Sequence, residues 1–243
     1  MSVYKYLIKM MSPVIKNYHR LEVFGMENIP RLGDGFIITP NHSGWFGWDA
    51  AVISSILENR EIHWVAWSYE GMNPLWDIAV KASNGILCNN RKNFPYEEVS
   101  EKILKKGNVV GIFPEGNSNP VGKWYRLRPF LPGCVRLSIL ADVPILPVAV
   151  SGLEEASPML WGKEEEKEPI FLMIALPVVF PTKVIVHFGK PLYPDVKKEE
   201  LNDKNKLYSA AQAIQLEVLK LLKRYRPNAY AECVRGEKNS EVI

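Results

Sequence analysis

The sequence predicts an α/β fold: a mostly parallel mixed sheet covered by helices, with an amphipathic N-terminal helix and a C-terminal helix. Three observations predict it. Between residues 35 and 150, short apolar runs with the signature of buried strands alternate with segments of helical character. From Asn202 onward, Leu207, Ala211, Ile214, Val218, Leu221 and Tyr225 follow one another at alternating steps of four and three until Pro227. The 243-residue chain carries no internal repeat or linker, and it is long enough for one domain with a sizeable core. The expected organisation is an amphipathic segment over 1–20, a single domain over 21–230 and a polar tail over 231–243.

In order along the chain, Tyr4, Leu7, Ile8 and Met11 recur at helical spacing with Lys5 and Lys9 off the stripe, and Pro13 is expected to break or kink the helix. A basic amphipathic helix of this kind either lies on a membrane surface or packs on the domain. Residues 21–25 read as a strand ending in a turn, 29–35 as a loop, and 35–39 as a buried strand. Residues 50–57 suit a short helix and 62–66 the next strand, in which His63 is expected to be structural. Residues 74–81 look helical, 85–88 form a short strand, and 89–92 make a polar, basic loop. An amphipathic helix over 97–106 closes at Gly107. The strand at 108–113 runs into Pro114-Glu115-Gly116-Asn117-Ser118, and a basic loop with Lys123, Arg126 and Arg128 leads to a helix at 133–141 and a strand at 145–150.

Residues 153–182 are the least regular. Their acidic run, 164–166, reads as a solvated loop. The eleven-residue apolar run 170–180 would reach only about 16 Å as a helix, against roughly 30 Å of hydrocarbon. It is too short to span a bilayer; it covers an acyl chain, dips into the interface or packs in the core. A last strand falls at 184–188, with His187 expected to be structural.

Composition narrows the function. A net charge of +3 is too small for a general nucleic-acid binder, though local basic patches can meet anionic lipid or phosphate. The three cysteines, Cys88, Cys134 and Cys233, are odd in number and lack metal-ligand spacing, so neither a disulfide framework nor a zinc site is expected. Lysines at 5, 9 and 16 interrupt the first apolar residues, which argues against a secretory signal. The expected location is a membrane surface facing the cytoplasm, or the cytoplasm itself.

The chemistry gathers at residues 41–49, Asn-His-Ser-Gly-Trp-Phe-Gly-Trp-Asp, just past the strand at 35–39. A histidine is readily poised as a base near neutral pH, and a carboxylate on one ring nitrogen leaves the other to take a proton. Along a helix, seven residues would separate His42 and Asp49 by roughly 10.5 Å of rise. Their direct contact therefore requires a turn, for which Gly44 and Gly47 supply the freedom. His42, Arg91 and Glu115 each follow a predicted strand, so all three can converge beyond the carboxyl ends of a parallel sheet.

Four blocks in order resemble the glycerolipid acyltransferases that include 1-acylglycerol-3-phosphate acyltransferase: 41–49; 85–91; Phe113-Pro114-Glu115-Gly116; and 143–148. The lead-in 23–30 is similar too, and the resemblance covers about residues 20–192. Two departures stand out. The commonest family form has four residues between His and Asp where this chain has six. Asn117-Ser118 also stands where the family usually has Thr-Arg or Ser-Arg.

The resemblance implies acyl transfer from a thioester donor, acyl-CoA or acyl carrier protein, to a hydroxyl of a lysophospholipid, with no cofactor. His42 is then the general base and Asp49 its orienting acid. Arg91 is the first candidate for gripping a phosphate, and Lys123, Arg126 or Arg128 could supply the charge missing after Gly116. Glu115 is either an acceptor-binding residue or a structural carboxylate that pins its loop through backbone N–H groups. Gly116 serves the turn. The rival expectations are another lysophospholipid or neutral glycerolipid as acceptor, and a lipid-binding protein without turnover. No Gly-x-Ser-x-Gly elbow is present to suggest a serine hydrolase.

Overall fold

The computed structural model describes residues 3–44, 47–67, 74–88, 95–162, 173–175 and 178–232. Its strands are β1 (Glu22–Phe24), β2 (Phe36–Pro40), β3 (Ile62–Trp67), β4 (Ile86–Cys88), β5 (Val109–Gly111), β6 (Arg126–Leu127), β7 (Ile145–Ser151), β8 (Met159–Gly162), β9 (Met173–Ala175), β10 (Ile185–Phe188) and β11 (Tyr230–Ala231). Its helices are α1 (Val3–Tyr18), α2 (Trp48–Ile56), α3 (Pro74–Ala82), α4 (Tyr96–Lys105), α5 (Gly133–Ala141), α6 (Leu153–Ala156) and α7 (Lys204–Leu222).

Seven strands form the central sheet in the order β1-β10-β7-β2-β5-β3-β4. The five from β7 to β4 are mutually parallel; β10 runs antiparallel to β7, and β1 parallel to β10. The parallel strands are apolar on both faces because each face is covered. In β2, Phe36 and Ile38 pack with Ile15 of α1 and Val52 and Ile53 of α2, while Ile37 packs with Leu104 of α4, Leu137 of α5 and Ile214 of α7. Full burial of each such side chain contributes about 1.5–3 kcal/mol. One consequence governs the site: β2 and β5 lie side by side and end at the same rim.

Helix α7 begins where Asp203 accepts the Lys206 N–H at 3.1 Å, a normal N-cap. Its Leu207, Ala211, Ile214, Val218 and Leu221 are buried as the periodicity requires, whereas Tyr225 lies past the helix end with its hydroxyl 2.7 Å from His187 Nδ1. His63 likewise has a structural partner, the Asn84 carbonyl at 3.0 Å.

Several expectations are corrected. Helix α1 does not stop at Pro13 but continues to Tyr18. Contacts on either side of the proline hold it on α2: Ser12 Oγ donates to the Ser55 carbonyl at 2.7 Å, and Ile15 is buried. The inward stripe of α1 is Tyr4, Ile8, Ser12 and Ile15, continued by buried His19 just past the helix, so Leu7 and Met11 are exposed rather than sharing a face with Tyr4 and Ile8. Within the basic loop, Arg126–Leu127 form β6, which pairs in parallel with β11. Ala231 and Glu232, assigned to the tail, belong to this pairing: the Glu232 N–H reaches the Leu127 carbonyl at 2.9 Å. The irregular region contains α6 and the antiparallel β8–β9 pair. The acidic run 164–166, Cys233 and residues 170–172 and 176–177 of the apolar run lie outside the described residues. Among the described residues, no helix is long and apolar enough to cross a membrane.

Candidate active site

Two residues beyond β2 the chain turns back on itself. His42 Nδ1 lies 2.7 Å from Asp49 Oδ2, so the expected pair forms. The turn depends on glycine at two points. Gly47 has φ +75°, and a Cβ on Gly44 would meet the Asp49 backbone nitrogen at 2.8 Å. Trp45 and Phe46 lie outside the described residues.

Asp49 lies in the first turn of α2 and is fully buried. Burying a carboxylate is costly unless donors surround it. Here Oδ2 also accepts the N–H groups of Ser43 at 3.3 Å and Gly44 at 3.1 Å, and Oδ1 accepts that of Ala50 at 2.9 Å. The first turn of a helix favours the negative charge as well. With Nδ1 occupied, the proton acceptor of the imidazole is Nε2, on a side chain that remains 20% exposed. Burial pulls the His42 pKa down, but the Asp49 carboxylate, by charge and hydrogen bond, and the Glu115 charge behind it reverse this. The net value lies above the ordinary one, with the Arg128 charge opposing.

Glu115 is buried, and its two oxygens take two backbone amides: His42 N–H at 2.8 Å and Arg128 N–H at 2.7 Å. Of the alternatives the sequence left open, this geometry favours the carboxylate that pins loops together. Burial pushes its pKa up to about 7, against the pull of the two amides and of the His42 and Arg128 charges. Asn41 closes the other side of the loop, exchanging hydrogen bonds with Val150 of β7 at 2.9 and 2.7 Å. Gly116 sits at φ +73° with its N–H on the Phe113 carbonyl, as a turn residue would.

The basic candidates separate. Lys123 is exposed beside Gly122. Arg126 is buried, with its guanidinium on Asn119 Oδ1 and Glu232, so it ties the C-terminal strand to the loop rather than facing a ligand. Arg128 is half-buried, donates Nε–H to Asn119 Oδ1 at 3.2 Å, and is the one of the three whose charge acts on His42. Arg91 lies outside the described residues. Among the described residues, no group of three or more histidine, cysteine or acidic side chains could hold a metal.

Two features carried no signal in the sequence. The Phe113 ring stacks on the His42 imidazole. Beyond Glu115, Glu154 is buried and accepts the Tyr125 N–H on both oxygens, while the Tyr125 hydroxyl donates to Glu155 and Arg226 lies over the Tyr125 ring.

A protein of Mycobacterium tuberculosis that is itself uncharacterised is 30% identical over 156 residues, which cover 60% of this chain and 41% of that one. A 1-acyl-sn-glycerol-3-phosphate acyltransferase of Pseudomonas aeruginosa is 31% identical over 136 residues, covering 54% and 49%. The chain thus spans about half, or less, of the length of these curated relatives. The crystal structure of the 1-acyl-sn-glycerophosphate acyltransferase of Thermotoga maritima superposes with a TM-score of 0.63 over 92% of this chain and 81% of that one, at 19% identity, which shows a shared fold. The Acyltransferase family profile matches residues 20–151, more than half of the chain and the stretch that holds His42, Asp49 and Glu115. The chain belongs to the Acyltransferase family.

Proposed function

We propose that the protein moves a fatty acyl group from a thioester, of coenzyme A or acyl carrier protein, to the free hydroxyl of 1-acylglycerol-3-phosphate. The observation that carries this reading is the 2.7 Å contact between His42 Nδ1 and a buried, four-times hydrogen-bonded Asp49. Asp49 fixes the tautomer, and His42 Nε2 takes the proton as the acceptor oxygen attacks the thioester carbonyl. The tetrahedral intermediate then expels the thiolate, which recovers the proton from the imidazolium. The amides of His42, Ser43 and Gly44 serve Glu115 and Asp49, so they are not the donors for the oxyanion. In this reading Arg128 is the described cation that meets the acceptor phosphate; its action on His42 and the name of the Pseudomonas relative support that acceptor.

The outer face of α1 supports work at a lipid surface. Tyr6, Leu7, Met10, Met11, Val14 and Tyr18 are exposed, and Tyr18 donates its hydroxyl to the Val179 carbonyl between exposed Val178 and Phe180. Lys5, Lys9 and Lys16 are carried by the same helix, an arrangement that suits an anionic bilayer. The protein then works as a peripheral membrane enzyme.

A second reading, a phosphate-free acceptor, is favoured by Asn117-Ser118 after Gly116. Thioester consumption with 1-acylglycerol-3-phosphate, lysophosphatidylcholine and monoacylglycerol separates the two. The first reading requires turnover with 1-acylglycerol-3-phosphate; turnover with monoacylglycerol alone would overturn it.

A further inference from the structure

The His42 ring is held from two directions, and Asp49 accounts for only one of them. A hydrogen bond at Nδ1 fixes an edge of the imidazole but leaves its plane free to swing. The Phe113 ring lies with its centroid 4.4 Å from that of His42 and 25° between the planes. Phe113 in turn stacks on Trp64, at 4.9 Å and 16°. Three near-parallel rings thus lead from the core to the imidazole, with Phe113 the shared member.

The far end of the stack is fixed. Trp64 is buried, and its indole N–H donates to Ser54 Oγ at 3.0 Å, the same oxygen that accepts the Tyr4 hydroxyl at 2.7 Å. It lies so close over β5 that a Cβ on Gly111 would sit 2.3 Å from its ring. Glycine at 111 is what lets the indole reach Phe113. The segment after β5 therefore delivers two groups to His42: Glu115 to its backbone amide and Phe113 to the face of its ring.

An aromatic face is the negative side of a quadrupole, so a cation stacked on it is favoured over the neutral form. We infer that Phe113 is a positioning residue for acyl transfer: its ring sets the plane of the His42 imidazole and steadies the imidazolium formed when the acceptor hydroxyl gives up its proton. The inference rests on His42 being the general base. An ordinary packing residue at this place would be replaceable by any side chain of similar volume.

The test follows the His42 Cε1 proton by NMR across a pH titration, the resonance being identified by its loss in His42→Ala. With Phe113→Met the proton affinity of His42 falls about threefold, and with Phe113→Tyr it is kept. If Phe113→Met fails to fold, 4-cyanophenylalanine in place of Phe113 decides the matter, because it keeps the ring but weakens its negative face; proton affinity again falls. In acyl transfer, Phe113→Met lowers kcat about tenfold with KM little changed, and Phe113→Tyr restores it. An unchanged titration in the folded, ring-free or electron-poor variants would overturn the inference. Because the titration needs no turnover, it stands apart from the question of whether the protein transfers acyl groups.

Discussion

The carboxylate of Glu115 holds the backbone amide of His42 at 2.8 Å, although 73 positions separate the two residues. Its second oxygen holds the Arg128 amide, so one buried side chain fixes both the loop that starts the His42–Asp49 turn and the segment just past β6 that carries Arg128. Glu115→Gln keeps one acceptor oxygen and sets an NH₂ group against the other amide. A cost of about 1–3 kcal/mol is expected, with a lower melting temperature and a fall in kcat larger than any rise in KM. A rise in KM alone, at unchanged melting temperature, would instead put Glu115 against the acceptor.

The pH dependence of turnover reads the His42–Asp49 pair. Asp49 holds the imidazole pKa above its ordinary value, so kcat/KM climbs with pH along a limb placed above about 6.5. With Asp49→Asn the burial that pulls His42 down is no longer opposed by that charge. The limb moves to lower pH and kcat drops by about 10²-fold or more. A limb that stays in place in Asp49→Asn would mean that another group titrates.

Vesicle sedimentation tests the outer face of α1. Replacing Leu7, Met10 and Val14 together by glutamine removes exposed apolar surface without touching the inward stripe. Binding to vesicles containing anionic phospholipid should weaken at least about tenfold, while the melting temperature barely moves. Unsubstituted protein that stays in the supernatant would refute the lipid-surface reading.

Stability should fall as pH rises toward neutrality. Burial raises the Glu154 pKa from 4.5 to about 8, with the Tyr125 amide pulling it back, and burial raises that of Glu115 to about 7. Between the unfolded and folded values the folded chain keeps a proton that the unfolded chain has released. Stability is therefore lost across that window as pH increases. Glu154→Gln, neutral throughout, should reduce the drop in melting temperature between pH 5 and pH 8 by roughly 5 °C. An identical drop in both proteins would count against a protonated Glu154.

Much of this was legible in the sequence, for reasons of distance along the chain. The five parallel strands show as apolar runs because both of their faces are covered, and the His42–Asp49 turn shows because its glycines lie inside the motif. Periodicity finds α1 but cannot say which side meets α2, so it groups Leu7 and Met11 with Tyr4 and Ile8. It also cannot foresee that Ser12 and Ile15 hold the helix across Pro13. The two-residue β6 and β11 are too short for any period. Glu115 was legible as a possible pin for backbone amides, but which amides it holds was not, and the Asn119 and Glu232 contacts of Arg126 and the ring stacked on His42 stayed hidden because distant partners set them.

The most direct measurement is thioester consumption with long-chain acyl-CoA and 1-acylglycerol-3-phosphate by the unsubstituted protein beside His42→Ala. The mechanism predicts turnover that falls by about 10²–10⁴-fold in the variant while its melting temperature shows it folded. A folded His42→Ala protein that keeps the activity of the unsubstituted one would contradict His42 as the base.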